Sequence, residues 1–202
     1  MASTLPLSFR LEILALTLLF WLAIYFPVNR RKVEPERRLD MGTPLDRKIP
    51  FVPLFALVYF STYPFVLQPF IILSNARQFY WMLASFAAIS LLSSLVHALV
   101  PSKIERIEAP GATGLWGKFL HLFQSLCKPH GNFPSMHVGL SVPAVAACYM
   151  AGGPVVGSLT LVWAVLIALS TLFTKQHYIL DVLAGLLGGL LIFALTFWLM
   201  LA

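Results

Sequence analysis

Apolar residues in this chain fall in six long blocks, over 8–27, 51–73, 79–100, 135–150, 155–173 and 177–200. Within each block they neither alternate as in a half-buried strand nor keep to one stripe as on a soluble helix, so the pattern predicts helices that are apolar all round. Each block is close to the ~20 residues that a helix needs to cross a bilayer. The expected fold is all-α: an integral membrane bundle of six transmembrane helices, forming a single membrane-embedded domain over residues 1–202. Most connections are short, such as SNARQ after the second block and Ala151-Gly152-Gly153-Pro154 after the fourth; the long ones are 28–50 and 101–133.

Pro53, Pro64 and Pro69 predict kinks or a break in the second span, which neighbouring groups must compensate. Gly185 and Gly189 have the G-x-x-x-G spacing that lets helices approach closely, an ordinary device inside a bundle. The first block carries Arg10 and has no small-residue cleavage pattern near Pro27, so it reads as a retained anchor and not as a cleaved signal peptide. Residues 115–126, LWGKFLHLFQSL, put Trp116, Phe119 and Phe123 on one helical face. That spacing predicts a short interfacial helix, either a lid over a lipid-binding mouth or a passive surface anchor.

With 59% hydrophobic and 11% charged residues, the chain lies far from the roughly 25% charged of a soluble domain. The formal charge of +6 does not imply nucleic acid, because the cations flank spans, where anionic lipid is the simpler partner. Twelve Lys and Arg fall on the surface carrying 28–50, 101–133 and Lys175, against Arg10 and Arg77 on the other. By the positive-inside rule the first surface is cytoplasmic. The stretch 28–50 reads as a solvated linker lying along lipid phosphates. Cys127 and Cys148 differ in expected depth and lack metal-ligand spacing, so neither a disulfide nor a zinc site is expected, and no cofactor is implied.

Candidate chemistry collects on that same basic surface. FTKQHYILDV, residues 173–182, sets Lys175, His177 and Asp181 between two apolar blocks. His177 and Asp181 are four apart, so on a helix the carboxylate can hold one ring nitrogen and leave the other free to attack. A carboxylate one turn into a span is costly unless paired, and such residues are functional by default. Phe133-Pro134-Ser135-Met136-His137 opens the fourth block, and a there-and-back pass between the clusters puts His137 opposite His177. PSKIER after the third span adds Lys103 and Arg106, while His97 reads as a packed or interfacial histidine. Together these supply cations for a phosphate dianion, a nucleophile, an acid for the leaving oxygen and helix N-termini.

Pro134-Ser135-x-His137 and Ser170-x6-His177-x3-Asp181 resemble the second and third signature motifs of the type 2 phosphatidic acid phosphatase superfamily, with the core motifs over about 100–190. The resemblance implies that His177 attacks phosphorus to form a phosphohistidine, Asp181 supports it, and His137 protonates the leaving alkoxide and then activates water or an acceptor alcohol. It also implies that Arg106, Lys103 and the Ser135 region hold the phosphoryl oxygens, with Lys175 adding charge, and that no metal is needed. Three departures stand out. The first motif is reduced to PSKIERIEAP, Met136 replaces a glycine, and Thr171 replaces an arginine whose fork geometry Lys175 cannot supply. Thr171 with His-Tyr-x-x-Asp-Val is similar to the branch containing inositol phosphorylceramide and sphingomyelin synthases.

The implied function is hydrolysis of a lipid phosphate or pyrophosphate ester. Transfer of a lipid headgroup to an alcohol or lipid acceptor is the alternative, and a non-catalytic transporter or scaffold is the second. The implied partners are a lipid phosphate and the bilayer. The family commonly works on the extracytoplasmic face, opposite to the charge count.

Overall fold

The structure is a computed structural model that describes residues 3–105, 118 and 130–201. Arg106, Cys127 and the aromatic face of the expected interfacial helix lie outside the described residues. The first helix, α1 (Leu7–Arg30), is followed by a short α2 (Pro44–Lys48), then α3 (Phe55–Phe60), α4 (Thr62–Ile72), α5 (Ala76–Leu99), α6 (Met136–Phe173) and α7 (Ile179–Leu201). The chain is a helical membrane bundle, as the apolar blocks predict. Its outer faces are apolar, with Leu159, Leu187 and Leu191 each about two-thirds exposed or more (68%, 66% and 72%), as a lipid solvent requires.

Helices α3 and α4 are one span broken at Ser61. Pro64 lacks an N–H, and here it lies in the first turn of α4, where that donor has no helical partner in any case. The Ser61 hydroxyl accepts from Trp163 Nε1 at 2.7 Å, so the break is tied to α6.

Among the described residues five helices have spanning length and composition, but α6 counts twice. Straight, its 38 residues would reach roughly 57 Å, and residues at its two ends could not meet. Yet His137 at its start lies 3.3 Å from His177, just past its end. The reversal comes at Gly153, where φ is 71° and ψ −169°, a backbone region that favours glycine. Beyond it Tyr149 lies across Gly157, where a Cβ would come within 2.2 Å of the ring. The described residues thus make six passes.

Polar side chains inside the bundle join helices: Trp21 Nε1 donates to Ser90 Oγ at 2.9 Å and Ser85 Oγ meets Thr196 Oγ1 at 2.7 Å. Phe65, Phe70, Phe79, Met82 and Phe86 are fully buried and fill the core. Helix α7 packs on the first half of α6 through glycines. A Cβ on Gly189 would lie 2.7 Å from Gly139 O, so the G-x-x-x-G face is occupied within the chain. At the end of the bundle away from the histidines, buried Arg10 donates to the carbonyls of Phe70 and Ile71, capping α4.

The stretch 28–50 departs from the expected solvated linker. Leu39–Asp40 pairs in parallel with Ser102–Lys103, and Asp46 in α2 is buried at 6% exposure. This polar segment folds against the bundle.

Candidate active site

Between Phe173 and α7 the chain makes a tight turn, held by its own backbone. The N–H groups of Gln176 and His177 both donate to Thr171 O, at 2.9 and 3.1 Å. Lys175 in this turn has φ 53°, a left-handed conformation that costs a residue with a Cβ about 1–2 kcal/mol. Its side chain offsets this, because Nζ donates to Asp46 O at 2.8 Å and Ile49 O at 2.5 Å. Burial lowers the Lys175 pKa, and the Asp46 charge opposes that shift.

The turn delivers His177 to Asp181, at 6% and 1% side-chain exposure. His177 Nδ1 lies 3.4 Å from Asp181 Oδ2, and the same oxygen accepts from the Tyr178 N–H at 2.9 Å. The carboxylate therefore caps α7 where the helix dipole favours an anion. A carboxylate that is ionised only accepts, so with Asp181 in that form the proton in the contact is on His177 Nδ1 and Nε2 is the ring nitrogen turned away from the acid.

That Nε2 faces His137 Nδ1 across 3.3 Å. His137 comes from the first turn of α6, and α6 and α7 start side by side because the Ser135 N–H donates to Asp181 O at 2.9 Å. The far side of His137 packs on Tyr59 of α3, with ring centroids 4.9 Å apart. Tyr178 reaches outward, its hydroxyl accepting from the Glu105 N–H at 3.1 Å; burial raises its pKa and that hydrogen bond works the other way.

The loop before Ser135 is held by the segment after α5. Ser102 Oγ accepts from the N–H groups of Asn132 and Phe133, both at 3.2 Å, and Ser102 N donates to His130 O at 3.1 Å. His97 Nε2 is 3.0 Å from Pro134 O, while His97 O accepts from Arg31 Nη2 at 3.0 Å. His97 is thus packed, as expected, and what it packs on is the loop that carries His137.

The expected phosphate ligands fare differently. Ser135 is fully buried and its hydroxyl has no hydrogen-bond partner among the described residues. Lys103 is half-exposed and lies near acids, 3.3 Å from Glu105 Oε1 and 4.0 Å from Asp40 Oδ2. The Lys175 ammonium is engaged by the two carbonyls above. Thr171 is buried, with Oγ1 donating to Ala168 O at 2.8 Å, so its hydroxyl is turned into its own helix.

Asp46 was not among the sequence candidates. Oδ2 accepts from the Thr43 N–H at 2.7 Å and hydroxyl at 2.6 Å, and Oδ1 accepts from the Ile179 N–H at 2.8 Å. Its helix cap was legible, since Thr43-Pro44-Leu45-Asp46 is a capping-box pattern with proline at the first helical position, but its contact with Ile179 was not. Tyr59 had no such signal, because its partner is 78 positions away.

A bundle of membrane-spanning helices with two imidazoles and a carboxylate in series at one end defines a helical integral membrane protein with a buried polar centre. The PAP2 superfamily model matches residues 38–195, well over half of the chain, and the protein belongs to that superfamily, the type 2 phosphatidic acid phosphatases. Membership gives it a function of the phosphatase or phosphotransferase type. Neither the curated proteins nor the solved structures compared with it gave a match.

Proposed function

We propose that the protein hydrolyses the phosphate ester of a membrane lipid through a phosphohistidine on His177. The observation that carries the reading is the series Asp181 Oδ2, His177 Nδ1, His177 Nε2 and His137 Nδ1, with steps of 3.4 and 3.3 Å across its two contacts. In the first step the Nε2 lone pair attacks phosphorus, the bond to the lipid oxygen breaks, and His137 gives that oxygen its proton. The phosphoimidazolium is cationic, and Asp181 compensates it through the Nδ1 proton. Water then attacks phosphorus, His137 takes the water proton, and the P–N bond breaks to free His177. The two rings touch without substrate, so an entering phosphoryl group must part them.

Arg106, Lys103 and Ser135 are the proposed phosphate ligands. A phosphotransferase reading keeps the first step and replaces water by an alcohol acceptor. What favours it is Thr171, which occupies the place of an arginine and offers the phosphate no donor. On either reading we take the site to face the cytoplasm, which the twelve Lys and Arg counted in segments 28–50 and 101–133 and at Lys175 support and the family's usual extracytoplasmic face opposes; thiol labelling of a cysteine placed at Arg37 in intact cells checks this.

The test is trapping. Protein incubated with phosphatidate labelled in its phosphate yields an acid-labile, base-stable phosphoprotein that is absent from His177→Ala. Full turnover in His177→Ala or Asp181→Asn would end the enzyme reading. Phosphate release without added alcohol supports hydrolysis, and turnover strictly dependent on a second lipid supports transfer.

A further inference from the structure

Asp46 takes no part in the chemistry above, yet it and Asp181 are the only buried acids among the described residues. Both act on the same place. Asp181 accepts from the Tyr178 N–H and Asp46 from the Ile179 N–H, two successive donors at the start of α7 that the helix itself cannot satisfy. Asp46 also fixes the preceding turn, because its main-chain carbonyl accepts from Lys175 Nζ. The segment 43–49 therefore grips the chain two residues before His177 and two residues after it.

We propose that Asp46 is a positioning residue for the reaction: by taking the Ile179 N–H it leaves the Asp181 carboxylate free to face His177. The proposal rests on the reading of His177 as nucleophile. Its basis is a competition for one acceptor. Asp181 Oδ1 is buried without a partner among the described residues, and Oδ2 stands 3.4 Å from His177 Nδ1, at the long end of a hydrogen bond. Without Asp46 the Ile179 N–H is an unsatisfied donor two residues from a carboxylate with an unused oxygen. Turning toward that donor draws Oδ2 off Nδ1, and the imidazole loses both its orientation and the tautomer that leaves Nε2 free. Asp46 is locked into its own role by Thr43, so the grip is preformed.

The experiment uses the full chain in detergent micelles, short-chain phosphatidate as the probe, and a double-mutant cycle of Asp46→Ala with Asp181→Asn. Asp46→Ala is expected to lower kcat by about 10- to 100-fold while KM stays within about threefold. In the Asp181→Asn background the same change costs less than about threefold, because no carboxylate remains to be misdirected. Asp46→Asn keeps one acceptor oxygen for Ile179 and recovers most of the lost kcat. In protein labelled with 15N-histidine, the fraction of His177 protonated at Nδ1 falls in Asp46→Ala.

Additive losses in the cycle, or an unchanged His177 tautomer in a folded Asp46→Ala, would overturn the proposal. Should Asp46→Ala not fold, Asp46→Asn carries the same cycle: wild-type kcat and tautomer support the single-acceptor role, and a large loss additive with Asp181→Asn refutes it. Turnover that survives His177→Ala would sink the nucleophile reading instead, and the tautomer spectrum alone would then decide on Asp46.

Discussion

Gly185 stands directly against Ser135: a Cβ at Gly185 would lie 2.3 Å from the Ser135 carbonyl oxygen and 3.2 Å from its Cβ. The contact is one helical turn beyond Asp181, so it sets how closely α7 approaches the strand of chain that leads into His137. The nearest atoms that Gly185→Ala would push against are the Ser135 backbone O and C. It is expected to cost about 1–3 kcal/mol of stability, as overpacking does, and to remove most turnover by separating the two imidazoles. Gly188→Ala, with nothing within 4 Å of the new Cβ, should keep activity and gain about 0.5–1 kcal/mol from helix propensity. Melting in detergent and phosphatidate turnover of the pair check this; equal behaviour of the two variants would contradict it.

His137→Ala separates the two steps of the proposed reaction. With a lipid whose leaving group departs without protonation, His177 is still phosphorylated and the phosphoenzyme accumulates, because water activation is lost. With an alkoxide leaving group the first step slows by about 100- to 10,000-fold, the usual contribution of a positioned acid. Equal slowing with both leaving groups would rule out that role.

Lys175 and Arg106 were alike in sequence as phosphate ligands, and the structure gives Lys175 two main-chain acceptors of its own, Asp46 O and Ile49 O. Lys175→Met removes the ammonium from two carbonyls, so it should lower stability by about 1.5–3 kcal/mol, the range for hydrogen bonds to a charged group, with little change in KM. Arg106→Ala should lower kcat/KM by about 100- to 1000-fold, as loss of a donor to a developing charge does. A raised KM with unchanged melting in Lys175→Met would return Lys175 to the phosphate.

His130 supplies a pH dependence. Burial lowers its pKa first, and the Arg38 charge adds to that, so the folded chain binds its proton less readily than the unfolded chain. Stability from this residue is full above the ordinary histidine range and is lost as pH falls through about 6.5 toward the lowered value. A melting series from pH 8 to 5 should therefore slope downward, less steeply in His130→Gln. An unchanged slope would mean that His130 is neutral to the transition.

The spans were legible because apolar length is set by the bilayer. The block over 79–100 became Ala76–Leu99, and that over 177–200 became Ile179–Leu201. The pairing of His137 with His177 followed from the same count, since two passes return the chain to its starting surface. What could not be read was which polar residues turn inward. Arg, Lys and Asp in 28–50 look alike as a charge run, yet Asp46 is buried while Glu36 and Arg37 are exposed. The difference is made by Ile179 and Lys175, which no local pattern connects to Asp46. The acceptors of Lys175 were hidden for the same reason, since they lie more than 120 positions earlier.

The bond from the Ile179 N–H to Asp46 spans 133 positions, and this fixes an order of assembly. When α2 emerges during synthesis, the donor that it will hold does not yet exist. Helices enter the bilayer as separate units before they associate, so the carboxylate remains hydrated at the membrane surface until α7 has been delivered. The turn that carries His177 is thus completed only after the start of α7 has reached Asp46.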